Sequence, residues 1–131
     1  MEQSIKLAST IENLSIVESM VEEISSKKII NEDKLGNVMV CVTEAVTNAI
    51  EHGNKNQKNK TVFINYKTIN NKLIFKVTDQ GNGFDYENIP DPTLPENIEK
   101  ENGRGVFLIK NLADNVKFEK NGSEIIFEFE L

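Results

Sequence analysis

Glu44 and Asn48 stand four residues apart in the run Glu-Ala-Val-Thr-Asn-Ala-Ile-Glu-His-Gly at 44–53. On a helix that spacing puts one side chain above the other. A carboxylate so placed can take a proton from a hydroxyl. An amide oxygen beside it suits Mg²⁺, which prefers oxygen ligands and keeps several waters while bridging phosphates. The same pair also decorates an ordinary solvated helix face, and both readings stay open on the pair alone. A second block, Asp79-Gln80-Gly81-Asn82-Gly83-Phe84, follows an alternation that puts Leu73, Phe75, Val77 and Asp79 on one apolar face. An inward aspartate needs a donor. The exocyclic amine of adenine is one, and the alternative is that Asp79 caps the Gln80-Gly81 turn. A third block, Gly103-Arg104-Gly105-Val106-Phe107-Leu108-Ile109, sets glycine backbone and a guanidinium ahead of an apolar helix start. Exposed N–H groups at such a start attract phosphate, and an arginine adds a charged fork; a flexible linker with a solvated arginine is the plain alternative. Taken together, the three blocks contain what holding a nucleoside triphosphate requires. His52, the only histidine, reads more readily as structural than catalytic, and Cys41, one turn before Glu44, reads as core or pocket wall.

Strands and helices have to position these blocks. Residues 4–8 alternate, with Ile5 and Leu7 on one face, and read as a short strand. Ser9 and Glu12 have capping-box spacing and are expected to start a helix. Leu14, Val17, Val21 and Ile24 are its apolar stripe, and Ser25-Ser26-Lys27-Lys28 weakens it. A second helix is expected from about 32–35, with Leu35, Val38, Met39, Val42, Val46, Ala49 and Ile50 inward and Gly53 placed to end it in a left-handed cap. Residues 54–60, polar and carrying three lysines, read as a solvated loop. Strands are expected over 61–69 and 72–79, joined by Asn70-Asn71, because asparagine tolerates the positive φ of a two-residue hairpin. Residues 81–102 form a long irregular segment with Pro90, Pro92 and Pro95, a length that is usually functional or mobile in a small domain. A helix over about 105–113 precedes a closing hairpin, with strand 115–120, turn Asn121-Gly122 and strand 123–131. In that last strand Ile125, Phe127, Phe129 and Leu131 face one way and Ile126, Glu128 and Glu130 the other. The fold class predicted is an α/β (α+β) two-layer sandwich: a mostly antiparallel mixed sheet, polar on one face and covered by helices on the other.

The 131 residues suit a single domain with a real core. A hydrophobic share of 38% and an aromatic share of 7% are enough for a globular fold. A net charge of −6 argues against sequence-independent binding to nucleic acid or an anionic membrane. No apolar run is long enough to span a bilayer, and the first residues lack a signal-peptide pattern. One cysteine excludes an internal disulfide and Cys-based metal clusters, and a reducing cytoplasm is the plain expectation.

In this order and spacing the blocks resemble the Bergerat-fold (GHKL) ATPases, and within them the small bacterial anti-sigma factor serine/threonine kinases. Residues 44–53 resemble the N box, with a glutamate four residues before the asparagine. Asp79-x-Gly81-x-Gly83-Phe84-Asp85 resembles the G1 box, Pro90-Asp91-Pro92 with Pro95-Glu96 the ATP lid (about 85–104), and residues 103–109 the G2 box. The resemblance covers nearly the whole chain and implies one histidine-kinase-like ATPase domain over 1–131. It implies that Asn48 binds Mg²⁺ on the ATP phosphates and that Glu44 is the general base for a protein serine or threonine hydroxyl. Asp79 would accept from the adenine amine, and Gly81 and Gly83 would let the chain pass close to the base. Gly103, Arg104 and Gly105 would contact phosphates, Arg104 also neutralising charge during transfer. Ser123 aligns with a family threonine and would bond near adenine through water; His52, Phe84, Val106 and Phe107 complete the implied nucleotide-binding set. Partners implied are ATP or ADP, a sigma factor, a small antagonist protein carrying the acceptor Ser/Thr, and a second copy of the chain through the first strand and helix. Neither the phosphoacceptor hairpin of sensor histidine kinases nor the extra domains of gyrases and Hsp90-type chaperones fit in the 131 residues. A nucleotide-gated protein-binding module without phosphoryl transfer is the alternative; its lid would gate a partner surface.

Overall fold

The structure is a computed structural model and describes residues 2–82 and 101–131, with 101–103 as backbone only. Five strands form one sheet: β1 Glu2–Ala8, β2 Thr61–Ile69, β3 Lys72–Thr78, β4 Asn115–Glu119 and β5 Glu124–Glu130. Their order is β1-β2-β3-β5-β4, and all four pairings are antiparallel. Three helices, α1 Leu14–Ser26, α2 Glu32–Asn48 and α3 Glu101–Leu112, complete a two-layer α+β sandwich. No helix among the described residues is long and apolar enough to cross a membrane.

Alternation decides which side of the sheet is covered. Val62, Ile64 and Tyr66 of β2, Leu73, Phe75 and Val77 of β3, and Ile125, Phe127 and Phe129 of β5 are buried together. Helix stripes meet them, Val17, Met20, Val21 and Ile24 from α1 and Val38, Cys41, Val42, Ala45 and Val46 from α2. Phe75 stacks on Phe127 at 5.4 Å, and Phe127 meets Phe129 edge-on at 6.0 Å. Burying each such phenyl ring stabilises the fold by roughly 1.5–3 kcal/mol. The opposite face is polar, with the Lys72–Glu128 ion pair at 3.3 Å spanning neighbouring strands.

Turn chemistry matches the sequence closely at Asn70 and Asn71, which have φ of 51° and 63° and join β2 to β3. The last hairpin differs by one residue. Its turn is Lys120–Gly122, with φ of 52°, 59° and 95°, so the strand expected over 115–120 ends at Glu119. The first helix also starts differently. No capping box forms: Ser9 is buried, its Oγ donates to the Lys60 carbonyl at 2.8 Å, and a 3₁₀ turn over Ile11–Asn13 leads into α1. The hydroxyl is used to clasp β1 to the start of β2, so it is not free to cap.

Candidate active site

Helix α2 does not stop at Asn48. It runs on through a π-helical turn, Ala49–Gly53, in which the Asn54 N–H reaches the Ala49 carbonyl at 2.8 Å. Such wide turns are frequent at functional sites. The left-handed cap expected at Gly53 is therefore absent, and Gly122 is the one glycine with positive φ among the described residues. Gly53 is needed for a different reason. A Cβ there would stand 2.3 Å from the Asp79 carboxyl carbon, so only a glycine lets the π turn lie against that carboxylate.

Asp79 follows β3 directly. Its N–H donates to the Ser123 carbonyl at 2.9 Å, extending the pairing of β3 with β5 by one residue. Its Oδ1 accepts the Gly81 N–H at 2.8 Å. The turn-capping role and the inward-facing role, left open by the sequence, are thus both real: one oxygen closes the turn, and the half-buried carboxyl also lines a cavity. Burial pushes the Asp79 pKa up, while the Gly81 N–H and the positive charge of Lys60 pull it back in part. Gly81 is fixed by an equally close contact, since a Cβ would lie 2.2 Å from the Gly53 carbonyl oxygen. That obstacle is backbone and cannot rotate away. Gly81→Ala is expected to lose roughly 1–3 kcal/mol of stability. Chemical denaturation measures it, and a variant as stable as the parent would contradict the contact.

The cavity measures about 200 Å³. Polar groups come from Asn48 at the end of α2, His52 on the π turn, Asp79, and Ser123 at the start of β5. Ala45, Ala49, Val77, Val106, Phe118 and Ile125 supply apolar wall, and the backbone of Gly53 and Gly122 closes it. Ser123 is buried, and its Oγ donates to the Lys120 carbonyl at 2.9 Å. His52 is exposed and touches the cavity from its rim.

Helix α3 corrects a second expectation. Gly103, Arg104 and Gly105 lie inside its first turns, because α3 starts at Glu101 and not near 105. Gly105 is buried against α2. A Cβ on it would be 2.8 Å from both the Glu44 Oε2 and the Asn48 Nδ2. Glu44 and Asn48, both half-buried, are therefore gathered against a helix position that has no side chain. Val106 is buried and on the cavity, Phe107 is half-buried beside it and off the cavity, and Arg104 is exposed. Gly83, Phe84 and most of the segment expected as a lid lie outside the described residues. Cys41 is core: burial, and secondarily the Glu44 charge, push its thiol to about 12, so it stays protonated and unreactive at neutral pH.

Sequence reasoning missed Asn54, which it placed in a solvated loop. Asn54 is fully buried, and its side chain makes three hydrogen bonds. Its place directly after Gly53, at the head of a run of lysines and amides, was the available signal.

The sheet, the helices and a cavity held between α2, α3 and the end of the central strand define a two-layer α+β domain with a ligand site at the edge of its core. The chain belongs to the histidine kinase-like ATPase domain family, which matches residues 7–129. Curated relatives include the serine-protein kinase RsbW of Staphylococcus aureus. Proteins of that name from strains bovine RF122 / ET3-1 and MRSA252 are 30% identical over 129 residues, covering 92% of this chain and 80% of the relative. That from strain JH9 is 29% identical over 128 residues. The family read from the three sequence blocks is the one found.

Proposed function

We propose that this chain is an ATP-dependent serine/threonine protein kinase that acts as an anti-sigma factor and phosphorylates a small antagonist protein in a partner switch. The observation that carries this is the convergence of Glu44 and Asn48 on Gly105, beside a cavity that Asn48 and Asp79 both line. Relatives named as serine-protein kinases support it.

Asp79 accepts from the adenine amine with the carboxylate oxygen that Gly81 does not use. Val106, Ala49 and Ile125 pack the base, His52 and Ser123 sit at its edges, and Gly81 lets the chain pass close to it. Gly103, Arg104 and Gly105 meet the phosphates from α3, Arg104 as a charged fork. Among the described residues no group of three or more His, Cys, Asp or Glu side chains could hold a metal ion. The Asn48 amide oxygen nevertheless fits Mg²⁺, a hard ion that is satisfied by one protein oxygen, phosphate oxygens and water. Held there, Mg²⁺ would neutralise charge on the phosphates. Glu44 takes the proton of the acceptor hydroxyl as its oxygen bonds to the γ-phosphorus. The bond from that phosphorus to the bridging oxygen breaks, and ADP leaves. A second copy of the chain joins through β1 and α1, a reading supported by Ile11 and Ile16, large apolar side chains exposed around the start of α1.

Gly105→Ala tests the convergence. Alanine favours a helix over glycine by about 1 kcal/mol, and the obstacles are movable side-chain tips, so thermal stability should hold or rise. Glu44 and Asn48 must shift, and phosphoryl transfer should fall about tenfold. Unchanged transfer in a folded variant would contradict the proposed geometry.

A further inference from the structure

We propose that Asn54 is a positioning residue that sets base selectivity by fixing the Asp79–Gly81 turn against the junction of β1 and β2. The inference rests on the reading of Asp79 as the adenine acceptor. Asn54 Oδ1 accepts the Gln80 N–H, in the peptide that joins Asp79 to Gln80, at 2.7 Å. Its Nδ2 donates to Ser9 Oγ at 2.8 Å and to the Thr61 carbonyl at 3.0 Å. Ser9 passes the tie on to the Lys60 carbonyl at 2.8 Å. Gln80 is held from its other end too, since its Oε1 accepts the Thr61 N–H at 2.7 Å. The backbone of Asn54 closes the π turn on Ala49, which sets Gly53 beside the Asp79 carboxylate. One buried residue thus holds, by its side chain, the turn that carries Asp79 and, by its backbone N–H, the π turn that Asp79 rests on.

Asn54 itself does not line the cavity, so it acts through Asp79. A carboxylate that accepts from an amine discriminates against a base bearing a carbonyl there, but only while its place is fixed to a fraction of an ångström. Loss of the Oδ1–Gln80 bond frees the turn along its exposed side, where Gln80 and Asn82 face solvent. The side chain is also fully used: both Nδ2 protons and the Oδ1 have partners, so no smaller residue can keep all three ties.

The experiment is calorimetric titration of ATP and of GTP, each with Mg²⁺, into the full chain, Asn54→Ala and Ser9→Ala. Ser9→Ala removes one of the two Nδ2 acceptors without touching Gln80, and it carries the test alone should Asn54→Ala fail to fold. The expected result is an ATP-over-GTP preference that falls about tenfold in Asn54→Ala and about threefold in Ser9→Ala. A purely structural role would lower the melting temperature of both variants and leave the ATP-to-GTP ratio at the parent value. That result overturns the inference while leaving the adenine reading of Asp79 intact. A parent chain that binds ATP no better than GTP overturns both.

Discussion

Replacing Glu44 with glutamine is expected to slow phosphoryl transfer by about 10²–10⁴-fold, the usual contribution of a positioned general base. Affinity for ATP should be unchanged, because Glu44 lies one turn before Asn48 and is not among the residues lining the cavity. Glutamine has the same size and nearly the same helix preference as glutamate, so α2 keeps its shape. Its amide cannot accept the hydroxyl proton. Single-turnover transfer measured beside a calorimetric titration separates the two effects. Transfer at the parent rate would remove Glu44 from the chemistry.

Asp79→Asn is expected to weaken ATP binding by about 100-fold and, unusually for a site variant, to raise thermal stability at pH 7. Both effects come from one carboxyl group. Asparagine keeps an oxygen for the Gly81 N–H, but it offers the adenine amine a second donor in place of an acceptor. The stability effect follows from the direction of the pKa shift. Burial raises the folded-state value above the ordinary 3.8, so between those two values the folded chain holds more protons than the unfolded one. Stability therefore falls as pH rises through that window, and the penalty is fully present at neutral pH. The gain from Asp79→Asn should shrink on acidification and vanish below the ordinary aspartate value. Melting curves of both chains across acid and neutral pH measure it. A variant less stable than the parent at pH 7 would contradict a net cost of burying this carboxylate.

The elements that the sequence announced most clearly were those with a strong period. Leu73, Phe75 and Val77, and Ile125, Phe127 and Phe129, alternate without interruption and fall on one buried face. Asn70-Asn71 can hardly be anything but a turn that demands positive φ. What could not be read was where long-range contacts override a local signal. Ser9 has the spelling of a cap, yet its hydroxyl is taken by Lys60, 51 residues away. Gly53 has the spelling of a helix stop, yet its missing side chain serves Asp79, which local propensity cannot register. Gly103 and Gly105 lowered the helical signal of α3 because glycine is costly in a helix interior. The contact of Gly105 with Glu44 and Asn48 is visible only after α2 and α3 are packed. Of the candidate site, Asn48, His52, Asp79, Val106 and Ser123 meet around one cavity. Asn54 escaped because a buried amide in a lysine-rich run has the composition of a loop.

The proposed reaction transfers the ATP γ-phosphoryl group to a protein hydroxyl. The most direct measurement incubates the purified chain with Mg²⁺, γ-labelled ATP and the small antagonist-like proteins of its own genome, then locates the label by mass spectrometry. One serine or threonine of one partner is expected to be labelled by the parent chain and left unlabelled by Asn48→Ala and Glu44→Ala. Tight nucleotide binding with no label on any of these proteins would contradict it.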